Sequence, residues 1–235
     1  MGFYKYYILF TAISAMVMDF HISCFYGIYI FFPQPITCAT GIARFFNYYF
    51  GSILNYQLMH FTLSATGLSV LAGFLYRYHS LKNDLDFFHQ KKMIIILGLA
   101  VLLYPVPCLI PNWIQYRYSK EDGYIWVQKN YPELFYVYSH WTCSGFYDKI
   151  CMELSIIIAM IQIFFIGGLI VYYAVKCIKL LNSVKHSLTP ATFALQKQLL
   201  VVLCFQVVIP VCCLLIPTTI LFIAMITGSE NMSCE

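Results

Sequence analysis

Gln57, His60, Ser64 and Gly67 stand at i, i+3, i+7 and i+10 inside one long apolar run. On a helix that spacing is a single face. An amide, an imidazole and a hydroxyl in a row donate and accept hydrogen bonds without fixed charge. The chemistry they offer is recognition of a small polar group in a dry interior. Hydrogen bonding between helices alone would use the same stripe. A second row, Gln206, Pro210, Cys213 and Pro217, falls at i, i+4, i+7 and i+11 of another apolar run. Pro210 cannot donate to the carbonyl of Gln206, so this helix is expected to kink at Pro210, with Pro217 a second such point. A kink beside an amide in lipid needs neighbouring helices to satisfy the freed groups, which implies a bundle. Gln57, His60, Ser64, Gln206 and Cys213 are therefore the candidate ligand-binding residues.

Asp19 is the one carboxylate within the apolar runs. Placing it there costs about 2.5–3.5 kcal/mol on insertion scales, so it is expected to face the bundle interior. Ala15, Ser23 and Tyr26 share its face, while His21 points elsewhere. Asp19 and His21 then make a poor acid–base pair. The chain has no HExxH, GxSxG, P-loop or dinucleotide-binding glycine loop. No enzyme is expected. The ten cysteines show no CxxC pair and no Cys/His zinc spacing, so no metal or cofactor is expected either. No basic stripe of the kind that holds nucleic acid is present.

The elements that would position these residues are membrane helices. Of 235 residues, 61% are hydrophobic and only 10% charged, and the mean hydropathy is +0.74. Soluble domains carry about 25% charged residues. Five apolar runs exceed the length needed to span a bilayer: Tyr6–Phe32, Gly51–Tyr76, Met93–Ile114, Leu154–Val175 and Leu199–Thr227. Thr189 followed by Pro190 is a helix start, a capping hydroxyl before a proline. Pro105, Pro107 and Pro111 make the third span irregular. The fold class is an all-α membrane protein, one bundle over residues 1–235, in contact with membrane lipid.

Charge sets the orientation. Arg77–Lys92 and Lys176–Gln198, with Lys5, hold nine basic residues and two acids. Pro33–Arg44, Tyr116–Glu153 and the carboxyl end hold five basic residues and seven acids. The positive-inside rule then puts the amino terminus in the cytoplasm and the carboxyl terminus outside. Asn231-Met232-Ser233 is a glycosylation sequon that would lie in the lumen. Cys38, Cys143 and Cys151 would lie on the same oxidising side.

The run Leu188-Thr189-Pro190-Ala191-Thr192, then Leu195-Gln196-Lys197-Gln198-Leu199-Leu200 and Leu203-Cys204-Phe205-Gln206-Val207-Val208-Ile209-Pro210, resembles the sixth helix of nematode serpentine chemoreceptors. The groups most similar to it are class H and class I of the Str superfamily. Asp19 in a helix ending at Phe32-Pro33, Leu75-Tyr76-Arg77-Tyr78-His79 and Asn130-Tyr131-Pro132-Glu133 carry the resemblance over most of the chain. It implies a bundle like that of a seven-helix G-protein-coupled receptor, with the five runs as helices two to six and the first and seventh lacking. Taking those two helices away leaves the amino end inside and the carboxyl end outside, as the charges do.

By the same resemblance, Arg77 and Tyr78 face a heterotrimeric G protein, and Pro210 is the point about which helix six swings. Cys38 would bridge to Cys143 or to Cys151. A small molecule binding in the bundle, at the plasma or ciliary membrane, is the function implied. A non-signalling receptor relic and a transporter- or channel-like bundle are the alternatives. Reporter tags are expected to place the amino terminus in the cytoplasm and the carboxyl terminus outside the cell. Antibody access before and after permeabilisation checks this, and termini in one compartment would contradict the threading.

Overall fold

In hydrocarbon each backbone N–H and C=O must bond within its own segment, so long apolar runs fold as helices. The computed structural model of the protein describes residues 4–31, 36–82, 84, 85, 88, 90–115, 118–187, 189–212, 216, 217, 219, 220 and 223. Among these, five helices are long and apolar enough to cross a membrane: Lys5–Tyr26, Tyr49–Leu81, Lys92–Ile114, Lys149–Ser183 and Pro190–Val208. Many of their large apolar side chains are exposed, among them Ile94, Leu103, Phe164 and Phe165, as suits helices that face lipid. The protein is an all-α membrane protein with one small sheet.

In chain order, α1 (Tyr4–Phe20) continues as a widened π turn at His21–Tyr26. β1 (Ile28–Phe31) and β2 (Ile36–Ala39) follow. A second π turn, Tyr49–Ile53, leads into α2 (Leu54–Leu81). Then come α3 (Lys91–Leu103), α4 (Val106–Gln115), α5 (Lys120–Asn130) and α6 (Phe135–His140). β3 (Thr142–Gly145), α7 (Lys149–Ser183) and α8 (Pro190–Pro210) complete the described chain.

The first expected span, Tyr6–Phe32, is a correction: its helix stops at Tyr26. Gly27 takes a left-handed φ of 56°, and the chain leaves as β1. A side chain at Gly27 would run into the backbone of Gly41, whose N–H donates to Tyr26 O at 3.1 Å. Glycine is needed there for both reasons. The second and fourth helices run past the expected ends, and the last begins at Pro190 with the Thr189 hydroxyl accepting from Thr192 N. The residues from 224 to 227 of the last expected span lie outside the described residues.

The third span is two helices. Pro105 has no N–H to give to Val101, and Cys108 N donates to Pro105 O rather than to Tyr104 O. The Tyr104 carbonyl accepts from Gln162 Nε2 of α7, and the Tyr104 hydroxyl donates back to Gln162 O.

The chain forms two compact units. One comprises Met1–Ala15, Ser64–Tyr104 and Ile161–Pro217. Its core is Leu68, Leu71, Phe74, Ile166, Ile170 and Leu203 with their neighbours, and Tyr7, Tyr76 and Phe88 form an aromatic cluster of their own. The other comprises Met16–Leu63, Pro105–Met160 and Thr218–Glu235. It holds a three-stranded antiparallel sheet in the order β1-β2-β3. Cys38 and Cys143 face each other in the β2–β3 register and form a disulfide.

α5 and α6 pack on this sheet through Ile36, Val127 and Tyr138. α5 starts in a capping box: Asp122 N donates to Ser119 Oγ at 3.1 Å, and Ser119 N donates to the Asp122 carboxylate at 2.8 Å. That backbone bond holds the Asp122 carboxyl below its usual range, so the box is intact at neutral pH and is lost as acid protonates it. Gly27→Ala is expected to lower stability by about 2 kcal/mol, the sum of a left-handed residue and a backbone clash. Gly98→Ala, which meets no atom within 4 Å, is the control and should be neutral or slightly stabilising. Thermal midpoints of the detergent-purified proteins measure both.

Candidate functional site

His60 lies on α2 in the disulfide-bearing unit. Its ring meets Tyr56 edge-on at 5.1 Å, and Nδ1 lies 3.8 Å from Cys108 Sγ. Cys108 also approaches Ser155, whose hydroxyl donates to the Cys108 carbonyl at 3.5 Å. The His60 Nε2 atom is buried with no hydrogen-bond partner among the described residues. A buried imidazole nitrogen without a partner is a cost that a bound molecule can remove. Gln57 sits half-buried one turn away on the same helix.

The same unit contains a small cleft of about 30 Å³, room for a water or two. Tyr48, Tyr56, Phe146 and Tyr147 give it aromatic walls, and Thr37, Asn112, Ser144 and Gly145 complete the lining. Tyr147 Oη lies 2.6 Å from Tyr138 Oη and 3.4 Å from Tyr48 Oη. Burial pushes the Tyr48 and Tyr147 phenols well above the usual range, so they stay neutral and act as hydroxyls. Ser52 and Ser144 hydroxyls pair at 2.6 Å behind the wall. Gly123 packs where any Cβ would meet the Tyr138 and Tyr147 hydroxyls at 2.5 Å.

The candidate ligand residues do not all fall in one place. Gln57 and His60 belong to the unit with the disulfide; Ser64, half-buried, and Gln206, exposed, belong to the other. Cys213 lies outside the described residues. None of the four described ones lines the cleft. Cys108, Asn112 and Ser155 were not singled out by the sequence, because a small polar residue in an apolar run reads as packing.

Asp19 is exposed, in contrast to the inward placement expected of it. The buried polar residues of the first helix are Thr11, Ser14 and His21. Asp19 falls on a different face from that stripe. His21 Nε2 lies 3.1 Å from Asn55 Oδ1, and Asn55 Nδ2 donates to Phe50 O at 2.6 Å. Both residues adjoin π turns, where one N–H to C=O pairing per turn is shifted and polar side chains fill the gap.

In the other unit Arg77 is only 5% exposed and donates through Nη1 to Gln196 Oε1 of α8. It is therefore turned inward, with an uncharged amide as acceptor. Tyr78 packs against Tyr173 at 5.8 Å, with the Lys82 ammonium 5.2 Å from its ring centroid. α8 runs to Pro210 and the helix widens at 211–212, with Val211 N donating to the carbonyls of both Val207 and Val208. Pro217 is exposed, and Asn231 lies outside the described residues. Of the two partners open to Cys38, Cys143 makes the disulfide and Cys151 is a buried thiol near Asp148. Among the described residues no three His, Cys, Asp or Glu side chains group as a metal site would.

A family model described as serpentine type 7TM GPCR chemoreceptor Srh matches residues 1–235. No curated protein and no solved structure matches the chain.

Asn55→Ala strands the His21 nitrogen and releases the Phe50 carbonyl. It is expected to destabilise the protein by about 1–3 kcal/mol. Thermal unfolding in detergent reads the loss, and an unchanged midpoint would show that the pair is not structural.

Proposed function

The chain belongs to the Srh family of serpentine seven-transmembrane chemoreceptors, and from that premise we propose that it binds a small molecule inside its helical bundle and signals to a heterotrimeric G protein. The observation that carries the ligand reading is the buried His60 Nε2 without a partner among the described residues, on a ring that Tyr56 and Cys108 pack against. A ligand that hydrogen-bonds this nitrogen is held by a group that is otherwise unsatisfied. Ser64 and Cys213 complete the candidate set on the sequence pattern; Gln206, being exposed, is the weakest member.

The amino terminus lies in the cytoplasm in this reading, so Arg77, Tyr78 and the basic connections meet the G protein. Arg77 is held by Gln196, and one unbroken helix, α2, carries both His60 and Arg77. The resting state is the one in which the Arg77–Gln196 bond joins α2 to α8. Ligand shifts the population toward a state in which that bond is open and α8 swings about Pro210. A hydrogen bond to a charged group is worth about 1.5–3 kcal/mol, enough to bias such an equilibrium roughly tenfold or more.

Gln196→Ala is accordingly expected to raise ligand-independent G-protein activation roughly tenfold. His60→Ala is expected to lower agonist sensitivity by a similar factor, roughly tenfold. Surface-expressed protein, odorant panels and a calcium or cAMP readout measure both. Agonist responses left intact by His60→Ala would remove the proposed ligand contact.

A further inference from the structure

We propose that the turn from Ile42 to Phe50 is a foot set in the headgroup layer of the bilayer, in the leaflet on the side of the Cys38–Cys143 bond. There Arg44 meets lipid phosphate and the rings beside it reach the upper acyl chains. The inference depends on the membrane helices alone and holds for either orientation of the chain.

Within these nine residues Ile42, Phe45, Phe46, Tyr49 and Phe50 are all exposed, Phe45 by 75%. A contiguous apolar patch of this kind marks a surface that something apolar covers. The backbone beneath it is already bonded. Ala43 is fully buried, Arg44 N donates to Gly41 O at 3.2 Å, and Phe46 N donates to Ala43 O at 3.1 Å. The Thr142 hydroxyl, at the start of β3, donates to Arg44 O at 2.9 Å. The turn therefore offers side chains outward while its own polar groups are met within the protein, which a water-poor layer requires.

Two helix lengths give its depth. Lys5–Tyr26 has 22 residues and is about 33 Å long, just enough to cross about 30 Å of hydrocarbon. The turn is fastened to the end of that helix. Gly41 N donates to Tyr26 O at 3.1 Å, Thr40 N donates to Gly27 O at 3.0 Å, and the Phe25 and Phe46 rings lie 6.3 Å apart. Tyr49–Leu81 has 33 residues and is about 50 Å long, a little more than a whole bilayer with its headgroups, about 40–45 Å. An ordinary tilt of about 20° takes up most of the excess. Lys82 then stands in one headgroup layer and Tyr49 in the other. Both lengths put Ile42–Phe50 at headgroup depth.

The chemistry selects lipid over protein. Arg44 is the one charged residue of the nine, and its guanidinium lies 4.6 Å from the Phe45 ring centroid. A guanidinium is weakly hydrated and matches a phosphate diester with two parallel N–H bonds. Its stem and the ring beside it suit the layer where aromatic side chains collect. A phospholipid supplies that anion with hydrocarbon directly beneath it. A second copy meeting this patch across a two-fold axis would instead bring like charges together.

The test uses the full chain in nanodiscs, one chain to a disc. Trp113→Phe, Trp126→Phe and Trp141→Phe remove the native indoles, and Phe45→Trp puts a single one on the foot. Its emission is expected to lie to the blue of free N-acetyltryptophanamide. Phosphatidylcholine brominated in the upper acyl chain is expected to quench it by at least about half, and lipid brominated at the chain ends by less. Arg44→Glu, which sets a carboxylate against the phosphates, is expected to shift the emission to the red and to weaken that quenching at least about twofold. Peptide mapping of the intact Cys38–Cys143 bond verifies that each variant has folded.

Emission like that of the free indole, quenched by iodide and by neither brominated lipid, overturns the foot. Blue emission that no brominated lipid quenches means that protein covers the patch, and it overturns the foot as well; dependence on loading two chains to a disc would then identify a second copy. Quenching unchanged by Arg44→Glu overturns the phosphate contact.

Discussion

Every carbonyl that a proline or a widened turn releases inside a membrane must be met by a donor from elsewhere in the protein. The positions of the polar side chains follow from that requirement. At the break after α3, Cys108 N turns to Pro105 O, and Gln162 reaches the Tyr104 carbonyl from α7. In the π turn at Tyr49–Ile53 the Phe50 carbonyl accepts from Asn55 Nδ2. Asn112 and Ser155 both donate to the Cys108 carbonyl, in the proline-rich stretch of α4. At these three places an irregular stretch of helix is met by an amide or a hydroxyl, which puts polar groups inside the bundle.

Much of this was legible in the sequence. Hydropathy located all five membrane helices, since a run of twenty apolar residues with few charges has little other use. Three prolines marked the break in the third span. Thr189-Pro190 marked the start of α8, and the hydroxyl cap is there. Cys38 was recognised as a disulfide partner, but two partners stayed open. Only the β2–β3 register decides between them, and register depends on pairing over more than a hundred residues.

What was missed has common physical causes. Ile28–Phe31 reads as more of the same greasy helix; four residues are too few for a period to show. A single glycine with positive φ sends them into a sheet instead. The face assigned to Asp19 assumed an even 100° step and an inward carboxylate, but the burial of α1 follows Thr11, Ser14 and His21. Gln162, Asn55, Asn112 and Ser155 gave no signal, because their partners are backbone groups whose freedom depends on tertiary geometry. Arg77 read as a snorkelling anchor or a G-protein contact. Its acceptor, Gln196, lies 119 residues away and is one glutamine among several.

The Cys38–Cys143 bond turns the intervening polypeptide into a covalent ring that contains two whole membrane crossings, α2 and the α3–α4 pair. Scission of any peptide bond within that ring, including the connection that follows α2, yields pieces that still migrate as one molecule until a reductant is added. Mechanical load pulling β2 away from β3 is likewise borne by sulfur and spares the short ladder of hydrogen bonds beside it.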